Sequence, residues 1–144
     1  MRISNTNLQE LILSLNRDPD DPVLHQRLAE FFFSPSHNSL ALEYYHSAIK
    51  VNPNCIWNRV YLAKSFYLAG KYRELEVLLD YIFEQDNFPP LAYILRAYLH
   101  CVRDEYDEAE TCYLKAVKLN KLIQDKWLEN QLWGLKYETL AMAK

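Results

Sequence analysis

The residues of this chain best suited to chemistry are its histidines and cysteines. The histidines are His25, His37, His46 and His100, and their spacing does not match the HExxH pattern that places two imidazoles on one helix face. No closely spaced cysteine pair accompanies them, as a tetrahedral zinc site would require. The sequence therefore predicts no bound metal.

The sequence also contains no pattern typical of a catalytic nucleophile or of a phosphate-binding loop. Serine adjoins histidine at residues 36–37 and 46–47, but neither pair lies in a nucleophile elbow or near an identifiable orienting acid. Gly70 and Gly134 are the only glycines, so no glycine-rich loop can bind a nucleotide phosphate. We therefore expect no enzyme activity and no cofactor.

Charge and cysteine use narrow the class of protein further. The formal net charge is −3 and the basic residues are scattered, so a nucleic-acid interface is not expected. Cys55, Cys101 and Cys112 are odd in number and unpaired in spacing, which indicates reduced thiols. The first residues lack a secretory signal, and no apolar run suffices to cross a bilayer. We expect a cytoplasmic protein without membrane insertion.

The composition predicts long helices joined by short loops. Hydrophobic residues make up 50% and aromatic residues 14% of the 144 positions, which is enough for a well-filled interior. With 2 glycines and 6 prolines there are too few turn residues for an all-β fold. The fold class expected from composition is all-α.

The chain repeats itself with a period of 34 residues. Positions that share an apolar or small residue at this spacing are Ala29, Ala63 and Ala97; Phe32 and Phe66, with His100 in the third unit; Ala41, Leu75 and Ala109; Tyr45, Leu79 and Tyr113; and Ala48, Ile82 and Ala116. Within one unit these positions recur with helical spacing and form two blocks separated by a turn. Each unit is therefore predicted to be a helical hairpin.

The predicted turns lie between the two blocks of each unit. Ser34-Pro35-Ser36 occupies the first, and Gly70, which can adopt positive φ, occupies the second. Asp104 holds the same place in the third. Pro53 and the Pro89-Pro90 pair are expected to stop helices at the ends of the first two units.

These residues resemble the tetratricopeptide repeat, a family of 34-residue helical hairpins. The match in residues 22–55 runs through Leu28-Ala29, Phe32, Ala41, Tyr45, Ala48 and Pro53. In residues 56–89 it runs through Leu62-Ala63, Phe66, Gly70 and Tyr72, and in residues 90–123 through Ala97, Tyr106, Ala109, Tyr113 and Ala116. Leu75 and Leu79 replace the family's alanine and aromatic residue, and Arg96 and His100 depart from its apolar residue and aromatic.

The resemblance implies a right-handed superhelix of antiparallel hairpins, forming a single domain over residues 1–144. Residues 4–17 fit the second helix of an incomplete preceding repeat. Residues 124–143 do not fit a fourth repeat and are expected to form a C-terminal capping helix. About eight helices are expected: three full repeats with one terminal helix on each side.

The resemblance also implies a function. Tetratricopeptide folds bind partners in the concave groove formed by the first helices of their hairpins, so we expect an adaptor or scaffold that binds a peptide or an amphipathic helix of another protein. The exposed groove side chains implied by the family pattern are Phe33, Trp57, Tyr61, Lys64, Tyr67, Ile94, Leu95 and Tyr98.

One familiar ligand of this family is disfavoured. A carboxylate clamp for the acidic C-terminal tail of chaperones would need basic and amide side chains where this chain has Gln26, Glu30, Tyr61, Leu91 and Leu95. An alternative function is a regulatory or self-assembly module of a larger complex, for example one associated with an ATPase or a signalling domain. Homodimerisation would then use the apolar side chains of the last helix, namely Trp127, Leu128, Leu132, Trp133 and Tyr137.

Overall fold

A computed structural model describes residues 5–21, 23–24, 27 and 35–142 of the chain. Within these residues the fold is all-α, with no strand. Its elements are α1 Asn5–Arg17, α2 Pro35–Val51, α3 Ile56–Leu68, α4 Tyr72–Phe83, α5 Leu91–Val102, α6 Tyr106–Leu119, a 3-10 turn Lys121–Ile123, and α7 Lys126–Met142.

The helix expected between Pro22 and Ser34 falls mostly outside the described residues. The three positions described there, Val23, Leu24 and Arg27, are helical. The Asp21 carboxylate accepts the Val23 N–H at 2.9 Å, as a residue that caps a helix N-terminus does.

The chain forms two compact units, Met1–Phe88 and Pro89–Lys144. In the first unit α2 packs against α3, α3 packs against α4, and α1 contacts both α2 and α3. In the second unit α5 and α6 form a hairpin, and α7 contacts both of them. The division lies one residue before the predicted boundary between the second and third repeats.

Turns 34 residues apart have the same backbone geometry. Gly70 and Asp104 are the described residues with positive φ, at 73° and 58°. In both turns the next residue donates its N–H to the carbonyl five positions earlier, Lys71 to Phe66 at 2.9 Å and Glu105 to His100 at 2.8 Å. This is the bond pattern of a Schellman helix end, in which a left-handed residue lets the chain reverse direction.

Burial follows the same period. Positions equivalent in the α3–α4 and α5–α6 hairpins have side chains no more than 1% exposed: Ala63 and Ala97, Leu75 and Ala109, Leu79 and Tyr113, Ile82 and Ala116. Because alanine is small, it lets two helix backbones approach closely, and the larger partners fill the space beside it.

Helix α4 departs from the period. The helices α1, α2 and α6 end at equivalent positions, Arg17, Val51 and Leu119, whereas α4 ends two positions early, at Phe83. The Tyr81 carbonyl accepts from the Glu84 N–H at 3.2 Å and from the Gln85 side chain at 3.1 Å, which tightens the last turn. The Phe83 ring then packs edge-to-face on Phe88 at 4.9 Å, so this helix ends well before Pro89.

Candidate partner-binding surface

The predicted groove residues of the first unit lie on α3. Trp57, Lys64 and Tyr67 are half-buried, whereas Tyr61 is only 3% exposed. Phe33 lies outside the described residues. Of the predicted residues on this face, Trp57, Lys64 and Tyr67 are therefore the accessible ones.

The buried Tyr61 ring lies between the rings of Tyr45 and Trp57. It stacks on Tyr45 at 5.7 Å with an interplanar angle of 16°, and on its other side Trp57 stacks at 5.7 Å and 28°. Burial raises the pKa of the Tyr61 hydroxyl, and burial together with the neighbouring Tyr61 raises that of Tyr45, so both remain protonated at neutral pH. Tyr61 is thus a core residue and not the exposed anchor that the family pattern implied.

Polar contacts fix α3 within the first unit. The fully buried Asn58 amide donates to the Asn16 side-chain oxygen of α1 at 2.6 Å. Arg59 donates to the Pro53 carbonyl and lies 4.7 Å from the centre of the Tyr81 ring. The contacts of Asn58 and Arg59 thus attach α3, which carries Trp57, to α1 and α4.

In the second unit two of the three predicted groove residues are buried. Ile94 is 3% and Leu95 is 1% exposed, and Ile94 belongs to the core cluster that includes Leu128 and Leu132 of α7. Neither side chain therefore offers an exposed surface to a partner. The groove assignment therefore requires correction at Ile94 and Leu95, as it does at Tyr61.

Tyr98 is half-buried and already in contact with the last helix. Its ring lies 5.3 Å from that of Trp127, and its hydroxyl donates to the Asp125 carboxylate. The chain itself thus covers part of the surface expected at Tyr98.

Asp125 joins all three helices of the second unit. One carboxylate oxygen accepts from Tyr98 of α5, and the other accepts the Leu128 N–H at 3.0 Å, which caps α7. The backbone N–H of Asp125 donates to the Tyr113 hydroxyl of α6 at 2.9 Å. Sequence reasoning missed this residue, although an aspartate just before an amphipathic run is a recognisable helix-start signal.

The residues predicted for self-association do not form one exposed surface. Leu128 is fully buried, Leu132 is 6% exposed, and the Trp133 ring packs edge-to-face on Tyr113 at 5.7 Å. Trp127 is 47% exposed. The Tyr137 side chain lies outside the described side chains, so of the predicted set only Trp127 is seen largely exposed.

The histidine and cysteine side chains described in the second unit are His100, Cys101 and Cys112, and they lie within its packed helices. His100 Nδ1 lies 3.1 Å from the Glu105 carboxylate, next to the left-handed Asp104. Burial raises the pKa of the Cys101 and Cys112 thiols, which lowers their thiolate fraction. Among the described residues, no three His, Cys, Asp or Glu side chains are grouped so that they could hold a metal ion.

No helix in the described part of the chain has the length and hydropathy needed to cross a bilayer. Comparison with protein-family models, with curated proteins and with solved structures finds no match.

Proposed function

We propose that the chain is a tetratricopeptide-type scaffold without catalytic activity, which binds a peptide or an amphipathic helix of a partner protein in the cytoplasm. Two features support the family assignment. Residues 34 apart share burial in two successive hairpins, and the turns within those hairpins share their hydrogen bonds. A repeated hairpin of this kind usually provides a binding surface on one helix of each unit.

The observation that carries the functional proposal is the aromatic platform on α3. Trp57 stands half-exposed on the buried Tyr61, which itself stacks on Tyr45. An aromatic ring held in place by other rings loses little side-chain entropy on binding, and such residues dominate the energetics of protein interfaces.

The neighbouring side chains define the partner chemistry. Lys64 lies two helical turns from Trp57 on the same side of α3, and Leu68, 45% exposed, continues that stripe. A partner helix with an apolar stripe would complement this arrangement. We propose Trp57, Lys64, Tyr67 and Leu68 as the contact residues.

A peptide-display selection against the intact chain tests the proposal. Peptides recovered from the selection should bind the Trp57→Ala variant more weakly by about 1 to 3 kcal/mol, as measured by fluorescence polarisation. Tyr106→Ala is a matched control, because Tyr106 is a 39% exposed aromatic on α6 in the other unit.

Circular dichroism must show equal helix content for both variants before their affinities are compared. If Trp57→Ala and Lys64→Ala leave the affinity of every selected peptide unchanged, the α3 face is not the binding surface. Equal losses in the Trp57 and Tyr106 variants would also count against the proposal, since no single face would then be responsible.

A further inference from the structure

The most exposed large apolar side chain in the described chain lies in the 3-10 turn after α6. Leu122 is 93% exposed, and Leu119, at the last position of α6, is 62% exposed. Three lysines surround them in sequence, Lys118, Lys121 and Lys126, and all three are exposed. We call these five residues the basic corner.

The turn that presents Leu122 is held firmly. The Asn120 side chain accepts the Leu122 N–H at 3.0 Å, and its backbone N–H donates to the Ala116 carbonyl at 2.9 Å. Ile123 donates its N–H to the Asn120 carbonyl at 3.1 Å and packs against the core of the second unit. The turn therefore leaves the Leu122 side chain in solvent while the next side chain, Ile123, packs against the core.

The three lysines of the basic corner outnumber the acidic residues of the same segment, although Glu129 lines the same surface pocket as Lys126. Asp125 is the only acidic residue from 118 to 126, and both of its carboxylate oxygens accept hydrogen bonds, from Tyr98 and from the Leu128 N–H. Within the described residues, none of Lys118, Lys121 and Lys126 forms an ion pair.

Helix stability does not explain this arrangement. Lys118 lies in the last turn of α6, where a cation is favourable, but Lys126 is the first residue of α7, where the helix dipole disfavours one. Nor does it explain two leucines exposed beside the lysines. The pattern instead suits contact with a surface that is both anionic and apolar beneath.

We propose that the basic corner binds the surface of a membrane containing anionic phospholipids. The lysine ammonium groups would lie at the lipid phosphates and carboxylates, while Leu119 and Leu122 enter the boundary between headgroups and acyl chains. A lipid surface fits better than a protein here because Leu122 projects outward: a protein partner would need a matching pocket, whereas lipids rearrange around a projecting side chain. No segment needs to cross the bilayer.

Co-sedimentation of the intact chain with vesicles tests this proposal. Vesicles of phosphatidylcholine with about one third phosphatidylserine should bind the chain, and vesicles of phosphatidylcholine alone should bind it far less, because each lysine contributes only near an anionic surface. Raising the salt to about 1 M shortens the Debye length to about 3 Å and should release the protein.

Two double variants separate the charge from the apolar contribution. Lys118→Gln with Lys121→Gln should weaken binding to the anionic vesicles by roughly five-fold per lysine. Leu119→Ser with Leu122→Ser should weaken it by roughly ten-fold or more, since both leucines would otherwise leave water. Lys50→Gln with Val77→Ser, which changes an exposed lysine and a 68% exposed valine elsewhere, should bind like the wild type.

Several results would overturn the proposal. One is equal binding of the wild type and the leucine variant to anionic vesicles, and another is equal loss in the Lys50 and Val77 control. A third is absence of binding to the anionic vesicles, whether or not the light-scattering mass falls from dimer to monomer in the leucine variant. Such a fall in mass would assign the basic corner to contact between copies of the chain.

Discussion

Alanine substitution at the two glycines tests the fold, because the glycines have equally open surroundings but only Gly70 has positive φ. A Cβ atom added at Gly70 or at Gly134 meets nothing within 4 Å, so neither alanine variant would cause a steric clash. Gly70 has φ of +73° in the turn between α3 and α4, whereas Gly134 lies inside α7.

The expected effects of alanine have opposite signs. At Gly70 an L-residue must hold a left-handed conformation, which costs about 1 to 2 kcal/mol. At Gly134 alanine is the better helix former and should stabilise α7 by about 1 kcal/mol. The two variants should therefore differ in free energy of unfolding by about 2 to 3 kcal/mol, the sum of the two effects.

Urea unfolding followed by far-ultraviolet circular dichroism measures this difference through the midpoint and slope of each transition. A neutral Gly70→Ala variant would contradict the left-handed turn and, with it, the equivalence of this turn to the one at Asp104. A destabilised Gly134→Ala variant would mean that another backbone approaches α7 closely at Gly134, which the described contacts do not include.

Two further predictions concern residues that join helices. Asp125→Ala removes both the cap of α7 and the acceptor for Tyr98, and should destabilise the chain by about 2 kcal/mol in urea unfolding. Asp125→Asn keeps a capping oxygen and should cost less, so equal losses would contradict a capping role. Tyr61→Ala removes the middle ring of the stack with Tyr45 and Trp57 and should cost about 3 to 5 kcal/mol; a loss below about 1 kcal/mol would contradict its burial in the core.

Two of the three hairpin turns could be predicted from the sequence. The prediction of a turn at Ser34-Pro35-Ser36 was wrong at Pro35 and Ser36, because α2 begins at Pro35, a residue that suits the first turn of a helix. A lone glycine between two helical blocks identified the turn at Gly70, and the 34-residue period transferred that position to Asp104. Aspartate tolerates the left-handed region better than most residues, so the same backbone path remains available without glycine. Such a turn depends on whether one residue can adopt positive φ, and the residue type at that position is read directly from the sequence.

The early end of α4 could not be predicted in the same way. The Pro89-Pro90 pair predicted that α4 would end later in the sequence. Instead, the helix ends at Phe83, where the Gln85 side chain donates to the Tyr81 carbonyl and the Phe83 ring packs on Phe88. Both depend on side-chain directions that a pattern of residue types does not specify.

The exposure of side chains on the first helix of each hairpin could not be predicted from the sequence either. The family pattern places Tyr61, Ile94 and Leu95 on the groove side, but whether a side chain there is exposed depends on what packs beside it. Tyr61 is buried against Tyr45, and Ile94 joins the core that α7 completes. The predicted surface is therefore reduced chiefly to side chains such as Trp57 and Lys64, whose neighbours leave part of them open.

The order of contacts along the chain has a consequence for how fast the protein folds. Most helices pack on the next helix in sequence, so little loop-closure entropy is lost before each contact forms, and such topologies fold within microseconds to milliseconds. The bond between Asn16 and Asn58 is an exception, since it joins residues 42 apart. Because it closes a loop around α2, we expect it to form after the α2–α3 and α3–α4 pairs, so that α1 docks last in the first unit.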